Sequence, residues 1–349
     1  MPFTAQELAN IASAQLSHYM KGPALNQTIQ ERPTYDAMRR KQKTFSGGDG
    51  FIKRNVKGDF TTRLRGFEHD DTVSYDNPAN IKQARFVWKQ MHGGISVTFD
   101  ELKRDGITVT DSLSGDGMSN HSERELHVIT SLFQDKVQDM GEGIARDFTT
   151  FLWQDGTADP KVFAGIKAFI VDDPTTGVAG GLDRSVLTWW RNRSLVGGNK
   201  ITASTSLQTL TKTLRKEVRQ LRRYGGKPNY IPCGSLFLEK LEAEVFEKGY
   251  YTQQGFINKG KNDIGMAMIS MQGVGDFIYD PHLDDIGESA RAYFLDTSKI
   301  RLMVMEGEDF KEHAPARPHD RYVIYRAVTW TGALCVEQMN CHGVYEVAA

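Results

Sequence analysis

Between residues 120 and 153, apolar side chains return every three or four positions: Leu126, Ile129, Phe133, Val137, Met140, Ile144, Phe148 and Leu152. The opposite face is polar, with Arg124, Asp135, Gln138, Asp139, Glu142 and Arg146. That period predicts one long amphipathic helix. Asn120 or Ser122 can cap its start, and Glu123 and Glu125 lie where the helix dipole favours negative charge. At the usual rise it would be about 45–50 Å long, so it must lie along a surface or cross between modules. Gly141 and Gly143 weaken its middle by about 1 kcal/mol each.

On the N-terminal side the pattern is different. Leu8, Ile11, Leu16 and Tyr19 predict a helix around Thr4–Met20, after which the chain turns polar and irregular. The run Met38-Arg39-Arg40-Lys41-Gln42-Lys43 leads into Ser46-Gly47-Gly48-Asp49-Gly50 and reads as an extended arm without a core of its own. Such an arm orders against a neighbour. Residues 51–100 read as two long strands and a turn. Alternation shows at Phe60, Thr62 and Leu64, at Phe86 and Trp88, and at Ile95, Val97 and Phe99. The stretch Glu68–Pro78 between them is rich in turn formers. A long hairpin with no sheet behind it is marginal alone, so another copy of the chain is the simplest cover.

Residues 166–285 read as a mixed α/β module. A helix capped by Ser204 or Thr205 carries Leu207, Leu210, Leu214, Val218 and Leu221, and stops at Gly225-Gly226 before Pro228. A strand at Tyr230–Cys233, a helix with Leu236, Leu238, Leu241 and Val245, and strands at Met266–Met271 and Asp276–Tyr279 follow. The tail is β-rich, with strands expected at Ala292–Leu295, Ile300–Met305, Tyr322–Thr329 and Ala333–Gln338.

Composition narrows the function. Of 349 residues, 43 are basic and 44 acidic, a net charge of −1. This argues against a dedicated nucleic-acid binder, which carries a basic excess over a whole face, yet leaves room for a container of nucleic acid. No apolar run is long enough to span a membrane, and Met1–Glu7 lacks the features of a secretion signal. Cys233, Cys335 and Cys341 form no CxxC pair, which points to free thiols in a reducing compartment.

Candidate chemistry is thin. Gly273-Val274-Gly275 and Gly177-Val178-Ala179-Gly180-Gly181 lack phosphate-loop spacing and read as turns. His121 and His127 are six apart and fall on different helix faces, while His69-Asp70-Asp71 reads as a solvated turn. Neither Ser114 nor Ser131 sits in a nucleophile elbow. No catalytic, cofactor-binding or metal-ligating residue is therefore assigned. Basic side chains do concentrate: Lys212, Arg215, Lys216, Arg219, Arg222 and Arg223 share one predicted helix with only Glu217 opposed, and Arg39–Lys57 is a second basic stretch. Each reads as a solvated face or as a contact for acidic neighbours or DNA.

The order of elements resembles the tailed-bacteriophage major capsid proteins of the Hong Kong 97-like fold. Arg85-Phe86-Val87-Trp88-Lys89 through Ile95-Ser96-Val97-Thr98-Phe99-Asp100-Glu101-Leu102 resembles the return strand of that family's extended loop. Gly165-Ile166-Lys167-Ala168, Gly180-Gly181-Leu182-Asp183-Arg184 and Trp189-Trp190-Arg191-Asn192 resemble the segment after its spine helix. Pro228-Asn229-Tyr230-Ile231-Pro232-Cys233-Gly234 resembles a step in its axial domain, and Ala292–Thr297 and Tyr325–Leu334 resemble its last peripheral strands.

The resemblance implies an α+β fold with an N-terminal arm (1–45), an extended β-hairpin loop (46–100), a peripheral domain holding a spine helix at 120–153 (101–165), an axial α/β domain (166–285) and C-terminal peripheral strands (286–349). It implies a non-enzymatic structural protein of the virion, assembled in the host bacterial cytoplasm, whose copies form pentamers and hexamers of an icosahedral shell. Implied partners are a scaffolding protein, a portal, a decoration protein in some members, and packaged double-stranded DNA through non-specific contact; no membrane is involved. Because the chain begins almost at the arm, either a separately encoded scaffold or a scaffolding segment removed from this chain is expected. Some members cross-link a loop lysine to a neighbour's asparagine; Lys53, Lys57 and Asn340 do not align to that chemistry, and no cross-link is expected. The alternative with the same fold is the shell of an encapsulin-type nanocompartment.

Overall fold

The computed structural model describes residues 3, 4, 11 and 31–348, apart from 59, 78–79, 105–108, 111–122, 248–267, 272–273 and 314–320. The helix expected at Thr4–Met20 and the caps expected at Asn120 and Ser122 lie outside the described residues, apart from Thr4, which is in a strand, and Ile11. In chain order the elements begin with β1 (Phe3–Thr4), α1 (Pro33–Arg40), β2 (Lys43–Phe45), β3 (Phe51–Lys57), β4 (Ile81–Val87), β5 (Lys89–Thr98), α2 (Phe99–Arg104) and β6 (Val109–Thr110). Next come α3 (Glu123–Trp153), α4 (Ile166–Phe169), β7 (Val178–Ala179), β8 (Leu182–Asp183), β9 (Arg193–Leu195), α5 (Thr209–Arg222), β10 (Ile231–Cys233) and α6 (Ser235–Glu247). The chain closes with β11 (Met268–Met271), β12 (Gly275–Tyr279), α7 (Pro281–Asp285), β13 (Arg291–Phe294), β14 (Ile300–Met305), β15 (Lys311–His313), β16 (Val323–Val336) and β17 (Gly343–Glu346).

Two sheets organise this chain. In the first, β16 is the axis. β5 lies along one edge of it from Lys89↔Gly332 to Thr98↔Val323, and β15 and β14 share the other edge. β2 pairs outside β14 in parallel. The second sheet runs β11-β12-β10-β13-β17-β9, with α5 and α6 over it. Its core holds Leu210, Leu214, Leu221, Phe237, Phe277 and Phe294.

The long helix α3 spans 31 residues, about 46 Å at 1.5 Å per residue. Phe133, Val137, Met140, Phe148 and Leu152 are buried, as its period predicts, while Gln138, Asp139, Arg146 and Asp147 face out. Phe148 is the anchor: its ring meets Trp330 of β16 edge-on at 5.0 Å and Tyr35 of α1 at 5.3 Å.

Several elements depart from the sequence reading, each for a local reason. Residues 33–40 form a helix with Tyr35 and Met38 in the main core, where an irregular arm is expected; Pro33 starts it at a position that needs no donor. The two tail strands expected at 322–329 and 333–338 are one strand. Gly332 looks like a break, but a Cβ there would meet the Met303 carbonyl and the Trp330 ring, so the glycine permits close packing inside the strand. The segment 286–349 serves both sheets: β13 and β17 complete the six-stranded sheet, and β14, β15 and β16 build the other.

The helix expected from Ser204 begins instead at Thr209, behind Gln208 in the left-handed region. Its N-terminus is closed by the buried carboxylate of Glu244 on α6. Glu244 accepts from the amides of Leu210, Thr211 and Ser204 at 2.9–3.0 Å. Three backbone donors that would otherwise be orphaned are satisfied by one side chain.

A buried histidine marks the joint between the tail strands. His342 is fully buried, and its Nδ1 accepts from the Asp296 amide at 3.2 Å. Burial lowers its pKa to about 4, against a partial upward pull from Asp296. An unfolded histidine titrates near about 6.5. Below that pH the unfolded chain takes a proton that the native fold refuses, so stability falls as the pH drops from there to about 4. His342→Asn keeps an acceptor without the titration. From about pH 7 to about pH 4.5, urea unfolding should show wild type losing about 2 kcal/mol more than the variant; equal losses would contradict a neutral buried imidazole.

Candidate assembly surface

The hairpin of β3 and β4 has two halves with opposite surroundings. At its root, pairing runs from Phe51↔Val87 to Lys57↔Ile81. The inward side chains Ile52, Val56, Ala84 and Phe86 are buried in the main core. The Phe86 ring meets Phe169 edge-on at 5.5 Å, and the Arg85 amide donates to the Gly180 carbonyl at 2.8 Å. Gly180 and Gly181 take positive φ in the turn between β7 and β8, which lets this turn approach the Phe86 ring. The root is therefore covered by the chain's own body, where the sequence reading expects a hairpin with nothing behind it.

Beyond Lys57 the ladder stops, and the alternation at Phe60, Thr62 and Leu64 produces no strand. Side chains hold the two arms together instead. Thr61 donates to Asn80 at 3.5 Å, the Arg63 amide donates to Asp76 at 3.2 Å, and Arg65 bonds Ser74 and pairs with Asp76. At the tip, the Asp71 carboxylate accepts from the Glu68 amide, and the Asp71 amide donates to the Glu68 carbonyl. These contacts bridge the two arms, so the finger continues the hairpin by about 12 residues per arm, a contour of about 40 Å at strand rise.

The finger is exposed on both sides. Leu64 is 104 % exposed, Tyr75 93 % and Phe60 76 %, with Phe67 and Val73 also uncovered. Among residues 61–77, the tip bond is the sole backbone–backbone hydrogen bond between described residues. The chain thus holds out an extended arm with unpaired backbone groups and large apolar side chains, which is the physical form of a surface that another chain completes.

A second feature fixes where the finger's return strand lands. Thr98 and Glu101 form a reciprocal cap on α2: the Thr98 amide donates to Glu101 Oε2 at 3.0 Å, and the Glu101 amide donates to Thr98 Oγ1 at 3.3 Å. Lys136 of α3 pairs with the same carboxylate at 3.0 Å. The Thr98 amide bond and Lys136 hold Glu101 below the usual carboxylate range. Leu102 beside it is fully buried. The Glu101-Leu102 pair quoted in the family resemblance is thus a structural clasp between β5, α2 and the spine helix.

The other sequence candidates fall into place. His69-Asp70-Asp71 is the exposed finger tip. Gly177–Gly181 belongs to the β7–β8 hairpin, and Gly275 opens β12. His121, Ser114 and the side chains of His127 and Ser131 lie outside the described residues. Lys53 pairs with Asp49, and Lys57 and Asn340 line one cleft of about 310 Å³ together with Glu337 and Trp189. The three thiols are buried, and burial pushes Cys335 and Cys341 up to about 12. Among the described residues no group of three histidines, cysteines or carboxylates could hold a metal ion, and no helix is long and apolar enough to cross a membrane. The five cations of α5 and Arg223 at its C-cap are all exposed on its outer face, and Glu217 is buried against Arg193. Sequence patterning missed the finger's true form, since its alternation mimics a strand; the cluster of turn formers at 68–78 was its best signal.

No protein-family model and no curated protein matches the chain. Solved structures do match along its whole length. The capsid asymmetric unit of cyanophage A-1(L) aligns with a TM-score of 0.65 at 12% identity, over 92% of this chain and 94% of that one. The capsid of the native GTA particle aligns at 0.54 and 13% identity, over 97% and 99%. A chain of Mycobacterium phage Bobi aligns at 0.50 and 11%, over 93% and 94%. The chain therefore has the fold of phage capsid subunits, an α+β Hong Kong 97-like capsid fold.

The two halves of the hairpin should respond differently to truncation. Phe86→Ala at the root should destabilise the isolated subunit by about 3–4 kcal/mol. Leu64→Ser on the finger should change it by less than about 0.5 kcal/mol. Urea unfolding of the unassembled protein reads both, and a large cost at Leu64 would mean that the finger packs on its own subunit.

Proposed function

We propose that this protein is the major head-shell subunit of a tailed double-stranded-DNA bacteriophage, and that its work is self-assembly. The observation that carries the reading is the finger: about 40 Å in scale, uncovered and bearing large apolar side chains set apart by charges, on a fold that matches capsid subunits over nearly their whole length. Identical copies, arranged as pentamers and hexamers, would supply the missing cover. Interfaces of this kind bury several thousand Å² in total, on the order of 2,000–5,000 Å² for obligate contacts. Closure then follows from symmetry.

In this reading the residues before α1 act as an arm across neighbours while 33–45 are tied into the subunit's own core, 46–100 act as the extended loop, 101–165 with β14, β15 and β16 as the peripheral domain, and 166–285 with β13 and β17 as the axial domain. The function is non-enzymatic. The shell forms in the host cytoplasm with a scaffolding protein and a portal, and ends as the capsid of the virion around DNA. The buried, high-pKa thiols support a role without cysteine chemistry.

Expression of the chain, alone and with its scaffold, followed by negative-stain microscopy, tests the proposal. Wild type should give closed shells. Leu64→Glu with Tyr75→Glu should give folded subunits or capsomers without shells, and so should deletion of residues 1–30, which spares the core residues Tyr35 and Met38. Shells of normal size from the charged-finger variant would sink the strap role. Shells that hold cargo protein and no nucleic acid would favour a nanocompartment.

A further inference from the structure

We propose that the outer face of α5 is a docking surface for the sugar–phosphate backbone of duplex DNA; the assignment rests on the reading of this chain as a DNA container. Lys212, Arg215, Lys216, Arg219, Arg222 and Arg223 are all exposed. At about 100° per residue they fall within one arc of about 120°, opposite the buried stripe of Leu210, Leu214, Val218 and Leu221. None of the six takes part in an ion pair among the described residues.

A merely solvated face does not account for this arrangement. The six cations stand three and four residues apart, and each such like-charge pair destabilises a helix. A solvated helix relieves that strain with interspersed acids, as this chain does elsewhere. Asp100 pairs with Arg104 on α2, and on the outer face of α3 Arg146 pairs with Asp147. The sole acid of α5, Glu217, is withdrawn into the interior, where Arg193 from β9 pairs with it at 2.5 Å and Tyr345 also reaches it. The anion that capped the helix, Glu244, is likewise buried. The whole chain carries a charge of only −1, so this face is a segregated positive field and not the overflow of a basic protein.

The shape of the field selects the partner. Six charges spread along about 16 Å of helix axis form a line. Duplex DNA offers about one phosphate per 1.7 Å of its axis, a uniform line of opposite charge that engages such a face in any register. A protein partner would need acids placed to match. Beside the cations stand only the half-buried Gln220 and the exposed Tyr224, whose ring Arg223 overlies at 5.6 Å, and a line of lysines and arginines matches the evenly spaced phosphates, so the contact we assign is with the backbone.

The test uses the full-length chain and a fluorescent duplex of about 30 random base pairs, with anisotropy read from about 50 to about 200 mM salt. Wild type should bind with a steep salt dependence. The variant Lys212→Gln, Lys216→Gln, Arg219→Gln, Arg223→Gln should lose at least about tenfold in affinity and about 3 units of log–log salt slope. Replacing Arg215, Arg219 and Arg222 by Lys should preserve both, which separates charge from folding. Lys53→Gln, Lys57→Gln, Arg85→Gln on the hairpin should leave binding unchanged. Absence of duplex binding by wild type, or an undiminished slope in the α5 variant, overturns the proposal. So does an α5 variant that keeps DNA binding and loses shells, which would make the face a contact between copies. Wild type that binds duplex through α5 but never forms shells leaves this inference standing and removes the container reading.

Discussion

The architecture depends on the pairing of β5 with β16. Ten residues of β5 run antiparallel to β16 in unbroken register, from Lys89↔Gly332 to Thr98↔Val323. One residue, Trp88, separates β5 from β4, and its indole donates to the Asp49 carbonyl at 2.7 Å. The direction of the hairpin is thereby set by the ladder. The spine helix presses on the same ladder: Val137 and Met140 cluster with Val328, and Ile144 packs so closely on Gly93 that a Cβ there would stand 2.8 Å from its Cδ1 and displace it. A shift of one residue in this pairing would turn every side chain of β5 to the other face, expel Val97 from the core and re-aim the finger.

Buried charge is handled in a way that suits a rigid body. Glu217 has Arg193 and Tyr345, Glu244 has three amides, and Arg291 joins Asp172, Glu288 and Glu346. A buried ion pair adds little net stability, but losing one partner is costly, so such networks penalise alternative packings. The six-stranded sheet takes β13 and β17 from the end of the chain, which ties it to the same return path as β14 and β16. Rigidity of the body and lack of support at the finger are thus separated along the chain, with the change at Gly58, where the Trp189 ring leaves no space for a side chain.

Much of this was legible from residue patterning. The helical period placed α3 to within the described limits, the alternating apolar runs located β12, β13 and β14, and Gly225-Gly226 before Pro228 marked the end of α5. Patterning failed where tertiary contacts override local signals. Gly332 reads as a turn until the neighbouring Trp330 and Met303 are in place. Ser204 accepts from the Leu207 amide as a local cap would, yet the helix starts only at Thr209, where Glu244, forty residues on from Ser204, satisfies the amides of Leu210 and Thr211. Tyr35 and Met38 are two apolar residues in a polar run, too few to signal a core helix, but both are buried by α3 and β14. Strand periodicity at 60–64 could not show that the ladder ends at Lys57, because alternation describes side chains and not which backbone groups find partners.

The composition of the finger addresses a problem common to any uncovered extension, which is adhesion to the wrong surface. Its apolar residues stand apart, divided by Arg63, Arg65, Glu68, Asp70, Asp71 and Asp76. No large continuous apolar patch is offered, so nonspecific association gains little, whereas a partner shaped to receive Leu64, Phe67 and Tyr75 together gains about 1.5–3 kcal/mol for each fully buried large side chain. The ion pair of Arg65 with Asp76 gives each charge a partner, which partly offsets the cost of desolvating them on docking. Selectivity therefore comes from spacing: each contact is weak alone, and together they favour a partner that presents every pocket at the right interval.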